Sequence, residues 1–347
     1  MTSAPTRKTD LRGPSDWGVV MTVNEPAALV LCNVRWHLAT GACAVHVFLD
    51  DAGDPVAREL GAIDGCHVTL CDDAYWAVHR GQKGRPASQM RRQSINAHVA
   101  KTAAQIDWLF HIDADEFIWQ DGDFAGELAA QGDISKAVNL TVLERLFPQG
   151  AQQSLFDGSF RATSALSETD AQMAFGEFAP FMKRGQYSHG AGKSGIRTSA
   201  DLRLGVHHAT RTGSEGRQRR AAHHIATTAR LLHFDGVTPL HWLAKVLRYK
   251  RTPPRVQGAL LQPHRAAQVA WMMERSTELG TARDAHHALF ALTSDRQKRL
   301  EQFDLLQDIP FDPAARIGAG TPDLSPAAFD ADLLQRNPWI RDNLIGD

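Results

Sequence analysis

Three short apolar runs in the first third of the chain each end on acidic or amide side chains. Residues 18–23 (GVVMTV) run into Asn24-Glu25, residues 44–49 into Asp50-Asp51, and residues 106–112 (IDWLFHI) into Asp113-Ala114-Asp115. Between them lie helical stretches at 27–40, 55–63 and 86–105, with a further strand predicted at 67–71. Pro26 suits a first helical turn and Gly41 a helix stop. Over 86–105, Met90, Ile95, Val99 and Ala103 fall on or near one face. Alternation of strand and helix at this spacing predicts a mostly parallel α/β sheet flanked by helices. Such sheets bind ligands beyond the carboxyl ends of their strands. The three polar clusters are therefore expected along one edge, around one pocket.

Beyond residue 120 the pattern loosens. Residues 136–143 and 178–183 read as strands, 149–176 as a long polar loop, and 211–220 (RTGSEGRQRR) as a flexible basic loop. A strand is expected at 230–234 and an amphipathic helix at 239–250. Helical patterns at 262–279, 284–292 and 295–305 dominate the rest.

The 347 residues are 43% hydrophobic and 22% charged, which places the chain among globular proteins. A formal net charge of -1 gives no global field for nucleic acid or anionic membrane, so an anionic ligand needs a local cluster of donors. Cys32, Cys43, Cys66 and Cys71 form no C-x-x-C and read as small buried hydrophobes in a reducing compartment. No apolar run approaches the ~20 residues of a membrane span, and the first 17 residues lack a signal-peptide core, so a cytoplasmic chain without a transmembrane segment is expected.

Two carboxylates at i and i+2 just past a strand, Asp113 and Asp115, make a hard-oxygen site suited to Mg²⁺ or Mn²⁺. A departing diphosphate needs such a cation to neutralise its charge. A phosphatase of the D-x-D-x-[TV] kind is disfavoured by Glu116-Phe117, and an EF-hand by Phe117 and Ile118 at its fifth and sixth positions. GAGKS at 190–194 lacks the first glycine of a P-loop, since Tyr187 stands there.

The stretches MTVNEPAAL (21–29), VFLDDAGD (47–54), RRQSINAHV (91–99), DWLFHIDADEFIW (107–119), SHGAGKSGIR (188–197), GVHHA (205–209) and LLHFDGVTPLHWLAKVLRY (231–249) resemble the bacterial family 2-like glycosyltransferases of the Asn-Glu…DADEF kind. DWLFHIDADEF is the most specific of them. The resemblance covers about residues 18–250 and implies a GT-A type α/β fold with a mostly parallel, Rossmann-like sheet. A flexible N-terminus (1–17) precedes this glycosyltransferase domain (18–250), and the helical patterns above make the rest a helical C-terminal extension (251–347). The resemblance also implies a nucleotide-sugar donor, a glycan or other hydroxyl acceptor, and Mn²⁺ or Mg²⁺ as cofactor.

The same resemblance suggests Asp113, Asp115 and His233 for the metal, with His207 and His208 as rivals to His233. Asn24, Glu25, Asp50 and Arg92 fall around the nucleoside, although Asn24-Glu25 also suits a helix cap. Lys193 and Arg197, with His189, supply donors for phosphate oxygens. An inverting transfer needs a carboxylate to take the acceptor proton; Asp235 and Glu116 adjoin metal ligands, and Glu177 is a third choice. The competing functions are a glycan- or nucleotide-binding module without catalysis and a metal-dependent phosphohydrolase.

Overall fold

The computed structural model describes residues 15–213, 217–250, 262–275 and 279–344. Four strands, β1 (Trp17–Val23), β2 (Ala44–Leu49), β3 (Cys66–Leu70) and β4 (Trp108–His111), lie parallel in the order β3-β2-β1-β4. The helices between them are α1 (Ala27–Ala39), α2 (Val56–Leu60), α3 (Asp73–Arg80) and α4 (Gln89–Ala103). Strand β5 (Glu116–Gln120), helix α5 (Phe124–Ala129), and strands β6 (Ala137–Leu140) and β7 (Val142–Leu146) follow. Then come β8 (Ser159–Ala162), α6 (Glu168–Phe175), β9 (Lys193–Arg197), β10 (Arg203–Leu204), β11 (Ala209–Thr212), β12 (Gln218–Arg220), β13 (His223–Ile225), β14 (Ala229–His233), α7 (Pro239–Lys250) and β15 (Leu306–Gln307).

The seven-stranded sheet β13-β6-β9-β4-β1-β2-β3 is parallel at four of its six pairings, with β9 antiparallel to both neighbours. The architecture is thus α/β, a central mostly parallel sheet flanked by helices. A second sheet, β15-β8-β7-β14-β5, is mostly antiparallel, and β10-β11-β12 form a small third one. Only fragments of these two were expected.

Val23 pairs with Leu49, and Asp50 donates its N–H to the Val23 carbonyl at 2.9 Å. On the other side Ile112 donates to the Val20 carbonyl at 3.1 Å. Asn24, Asp50 and Asp113 therefore follow their strands along one edge of the sheet.

Several elements depart from expectation. The 136–143 run is two strands, β6 and β7, which belong to different sheets. Residues 149–176 contain β8 and α6, and 176–181 is a 3₁₀ helix rather than a strand. The basic segment 211–220 is the β11–β12 hairpin, whose tip lies outside the described residues. Most of the N-terminal stretch 1–17 also lies outside them. Of the predicted face of α4, Ile95 and Val99 pack partly buried against the core while Met90 and Ala103 are exposed, and Arg92, Gln93, Asn96, Ala97 and Ala100 are the buried residues. Two of the buried polar residues reach site carboxylates, Gln93 to Asp113 and Arg92 to Asp50. Cys32 and Cys71 are buried, but Cys43 is exposed, its thiol 3.4 Å from Asp16.

Strand β5 pairs only with β14 and leaves its other edge open. Polar side chains of α1 close that edge, which would otherwise template foreign strands. Trp36 Nε1 donates to the Ile118 carbonyl at 3.0 Å, and His37 Nε2 accepts from the Ile118 N–H at 3.1 Å. Asn33 Nδ2 donates to the carbonyls of Ala114 (3.0 Å) and Glu116 (2.8 Å). Phe117, next along β5, packs edge-to-face with Phe156, Phe234 and Phe311 at 5.1, 5.6 and 5.1 Å. Each such buried ring stabilises by about 1.5–3 kcal/mol, so the chain just after Asp115 is held on both sides. Residues of the last helices share this core, Phe329, Leu333 and Ile340 among them.

Candidate active site

After β4 the chain makes a turn at Ala114-Asp115, closed by the Glu116 N–H to the Asp113 carbonyl at 3.1 Å. The turn splays the two aspartates onto different partners. Asp113 accepts from Gln93 Nε2 at 2.7 Å and from Lys193 Nζ at 2.6 Å. Asp115 meets the Lys245 ammonium and lies 3.7 Å from His233 Nε2. Glu116 is fully enclosed. It takes the Asp113 N–H (2.7 Å), Lys193 (3.1 Å) and His189 (3.2 Å).

The opposite wall comes from β14. Antiparallel pairing sets His233 across from Glu116, and the Phe234 N–H bonds the Asp115 carbonyl at 2.9 Å, so 113–116 and 233–235 lie side by side. Gly236, at φ 82°, turns the chain directly after Asp235; a side chain there would collide with the backbone of Trp242. His233 Nδ1 is 2.9 Å from Ser188 Oγ. Lys193 opens β9 after Gly192, whose φ of 67° and contact with the Leu140 carbonyl leave no room for a Cβ.

Asp235 is held by Arg265 at 2.8 Å and by Lys245 at 3.5 Å. Glu25 lies beside them, 3.0 Å from His241 and 4.0 Å from Arg248. Nothing of Glu25 caps α1: Pro26 is the cap residue, and the Ala27 N–H bonds Asp332 at 3.1 Å. Asn24 is exposed at the same edge.

Burial works against ionising every carboxylate here, and the cations reverse it. Burial raises Asp115, but the Lys245 charge and the His233 hydrogen bond hold it well below the usual range. Lys193 and His189 do the same for Glu116, and Arg265 and Lys245 for Asp235. His241 brings Glu25 to about 2 against the effect of burial. Burial lowers His233, yet Asp115, Glu116 and Asp235 together raise it to about 9. Lys193 and Lys245, also buried, are pushed above the ordinary lysine value by their carboxylates.

Among the described residues, two groups of three bring ligand atoms within 4.8 Å of one another: Asp115 with His233 and Asp235, and Glu116 with His189 and His233. The first fits Mg²⁺ or Mn²⁺, with two carboxylates and an imidazole. In the second, Glu116 is fully enclosed and already holds Lys193 and the Asp113 N–H. Asp113 belongs to neither group. His207 lies against His189, ring centroids 4.2 Å apart and tilted at 55°, and neither it nor His208 joins a group.

Asp50 pairs with Arg92 (2.9 Å) and with the half-exposed Arg85 (2.7 Å), a polar cluster at the end of β2. Arg197 is not brought to the site. It pairs with Trp108 at the far end of β4, its guanidinium 4.8 Å over that ring and bonded to the Gln131 carbonyl at 2.8 Å. Glu177 is exposed on the 3₁₀ helix, where it contributes to the field on Arg296.

No family model matches the chain, and no curated protein matches it. Among solved structures it is similar to S. aureus TarS residues 1–349, at 11% identity and a TM-score of 0.33, over 94% of this chain and 90% of that one. It is also similar to GalNAc-T7 crystallised with UDP, GalNAc and Mn²⁺, at 9% identity and a TM-score of 0.35, over 84% of this chain and 55% of that one. At such TM-scores the likeness bears no weight.

Gln93, Lys245 and Arg265 escape the sequence reading. Gln93 hides on the polar inner face of α4. Lys245 had a signal: His241, Lys245 and Arg248 are spaced i, i+4, i+7 on an amphipathic helix, one stripe facing one place. Arg265 had none, because its neighbour Asp235 is thirty positions away. No helix among the described residues is long and apolar enough to cross a membrane.

Proposed function

We propose that this chain is a metal-dependent glycosyltransferase of GT-A type, moving a sugar from a nucleotide-diphosphate sugar to a glycan or other hydroxyl acceptor. One observation carries the reading. Asp115, His233 and Asp235 form a three-ligand group at the carboxyl edge of a parallel sheet, with Asp113 beside it. Asp115, His233 and Asp235 would hold Mn²⁺ or Mg²⁺, which when bound neutralises charge developing on a departing diphosphate.

Asp113, partly exposed and fixed by Gln93 and Lys193, then faces the donor. Lys193 is fully enclosed between Asp113 and Glu116, so it orders the loop; Lys245, Arg265 and Arg248 are the cations of the site with some exposure to solvent. Glu116, with both oxygens engaged, orders the loop as well. Asp235, whose oxygens are also engaged, by Arg265 and Lys245, is not fully enclosed as Glu116 is, and it is left as the candidate base, or as a cation ligand alone. Asn24, Glu25 and the Asp50–Arg92 pair line the edge where a nucleoside would extend.

The test is product identity. With Mn²⁺, a panel of UDP- and GDP-sugars should yield a nucleoside diphosphate and free sugar by slow hydrolysis in the absence of acceptor. Release of inorganic phosphate from phosphoesters instead would make the chain a phosphohydrolase. Asp235→Asn separates the two roles of Asp235: a lost base abolishes turnover with Mn²⁺ binding kept, and a lost ligand weakens both.

A further inference from the structure

We propose that Lys245 is a built-in counter-ion to the Asp115 and Asp235 carboxylates and that a divalent cation entering between them has to displace it. The inference rests on the cation reading of the Asp115 group given above. Lys245 Nζ contacts Asp115 and lies 3.5 Å from Asp235. Those are the two carboxylates of the three-ligand group. Both are almost completely buried, and two uncompensated buried carboxylates facing each other are costly. The ammonium removes that cost while no metal is bound.

An ammonium is a compact point charge on a flexible four-carbon stem, which suits temporary occupancy better than a planar guanidinium. Arg265, by contrast, grips Asp235 through two nitrogens, at 2.8 and 3.4 Å, and is placed to stay. Lys245 is also the more exposed of the two, and it has a second carboxylate within its field. Glu25 faces the same stripe of α7, bonded to His241 one turn before Lys245. A displaced ammonium therefore stays in the site, free to meet an anionic ligand. An ammonium and a divalent cation held by the same pair of carboxylates repel each other at close range, so the lysine lowers the cation affinity by competition.

The experiment is a Mn²⁺ titration of the whole chain without nucleotide, followed by calorimetry and by loss of the free Mn²⁺ resonance signal. It compares wild type with Lys245→Met, Lys245→Gln and Lys245→Arg. Lys245→Gln keeps a hydrogen-bond donor between the carboxylates and removes only the charge, so it serves if the methionine variant does not fold. Removing the charge should tighten Mn²⁺ binding about tenfold, which equals about 1.4 kcal/mol. Lys245→Arg should bind as wild type or more weakly. In EDTA the neutral variants should melt below wild type, and Mn²⁺ should raise their Tm by more than it raises that of wild type. Equal or weaker Mn²⁺ binding by the neutral variants overturns the proposal. If only the neutral variants bind Mn²⁺, the counter-ion role stands and the metal dependence of the native chain falls. If no form binds it, the cation reading fails and takes this inference with it.

Discussion

His233 stands between two buried glutamates: Glu144 on β7 pairs with it from one side and Glu116 on β5 from the other. Their surroundings differ. Glu144 receives Arg161, the N–H groups of Tyr187 (2.9 Å) and Ser188 (2.7 Å), and the Ser188 hydroxyl (2.6 Å). One carboxylate meets one guanidinium, so the charge of this network is closed, although the Ser188 hydroxyl also reaches His233 Nδ1 at 2.9 Å. Around Glu116 the carboxylates continue outward through Asp113, Asp115, Asp235 and Glu25. They outnumber the fixed cations Lys193, Lys245, Arg248 and Arg265 by five to four, and the raised His233 supplies the missing charge. A closed network of balanced charge holds the fold. An open one, one fixed cation short of its carboxylates and balanced only through the His233 proton, is suited to take a cation.

The comparison breaks most readily at Glu144. Glu144→Gln leaves the Arg161 guanidinium buried without its counter-charge, a loss of about 3–5 kcal/mol. Urea midpoints should show it equally in Mn²⁺ and in EDTA; a metal-dependent difference would mean that the Glu144 network belongs to the site. Lys193→Met attacks the other cluster. Asp113 keeps Gln93 and some solvent, and the enclosed Glu116 keeps His189 and the Asp113 N–H, so the expected loss is smaller, about 1–3 kcal/mol. The same variant should lose donor hydrolysis through a misplaced Asp113, with its Mn²⁺ dependence unchanged and no rescue by excess Mn²⁺. Full turnover in Lys193→Met would show that Asp113 needs no clamp.

The two networks also differ in how far the sequence revealed them. The open one announced itself, because polar residues stand directly after apolar strands, and the parallel half of the fold was legible for the same reason. Asp113, Asp115, His233, Lys193 and Asp235 do converge. What stayed hidden was the direction of each side chain. The spacing of Asp113 and Asp115 implies a shared face only for extended backbone, and a turn between them sends one to Lys193 and the other to Lys245. Arg197 sits four residues beyond Lys193 on β9, which carries it to the opposite end of the sheet. The closed network gave almost no signal. Glu144 and Arg161 lie on short strands whose polar residues face inward, so β7 and β8 read as part of a loosely patterned region. On α4, Gln93 points inward to Asp113 and Asn96 to Thr22, and apolar periodicity found only Ile95 and Val99 at the edge of the buried face.

The central claim is that the surplus carboxylates serve a cation that binds together with a nucleotide. The direct measurement is the thermal stability of wild type and Asp115→Ala with UDP or GDP, in Mn²⁺ and in EDTA. A ligand that binds only the folded state raises the melting temperature by mass action. The account predicts a large nucleotide-induced rise for wild type in Mn²⁺, little in EDTA, and no metal-dependent part in Asp115→Ala. The same rise in both proteins, or one indifferent to EDTA, would contradict it.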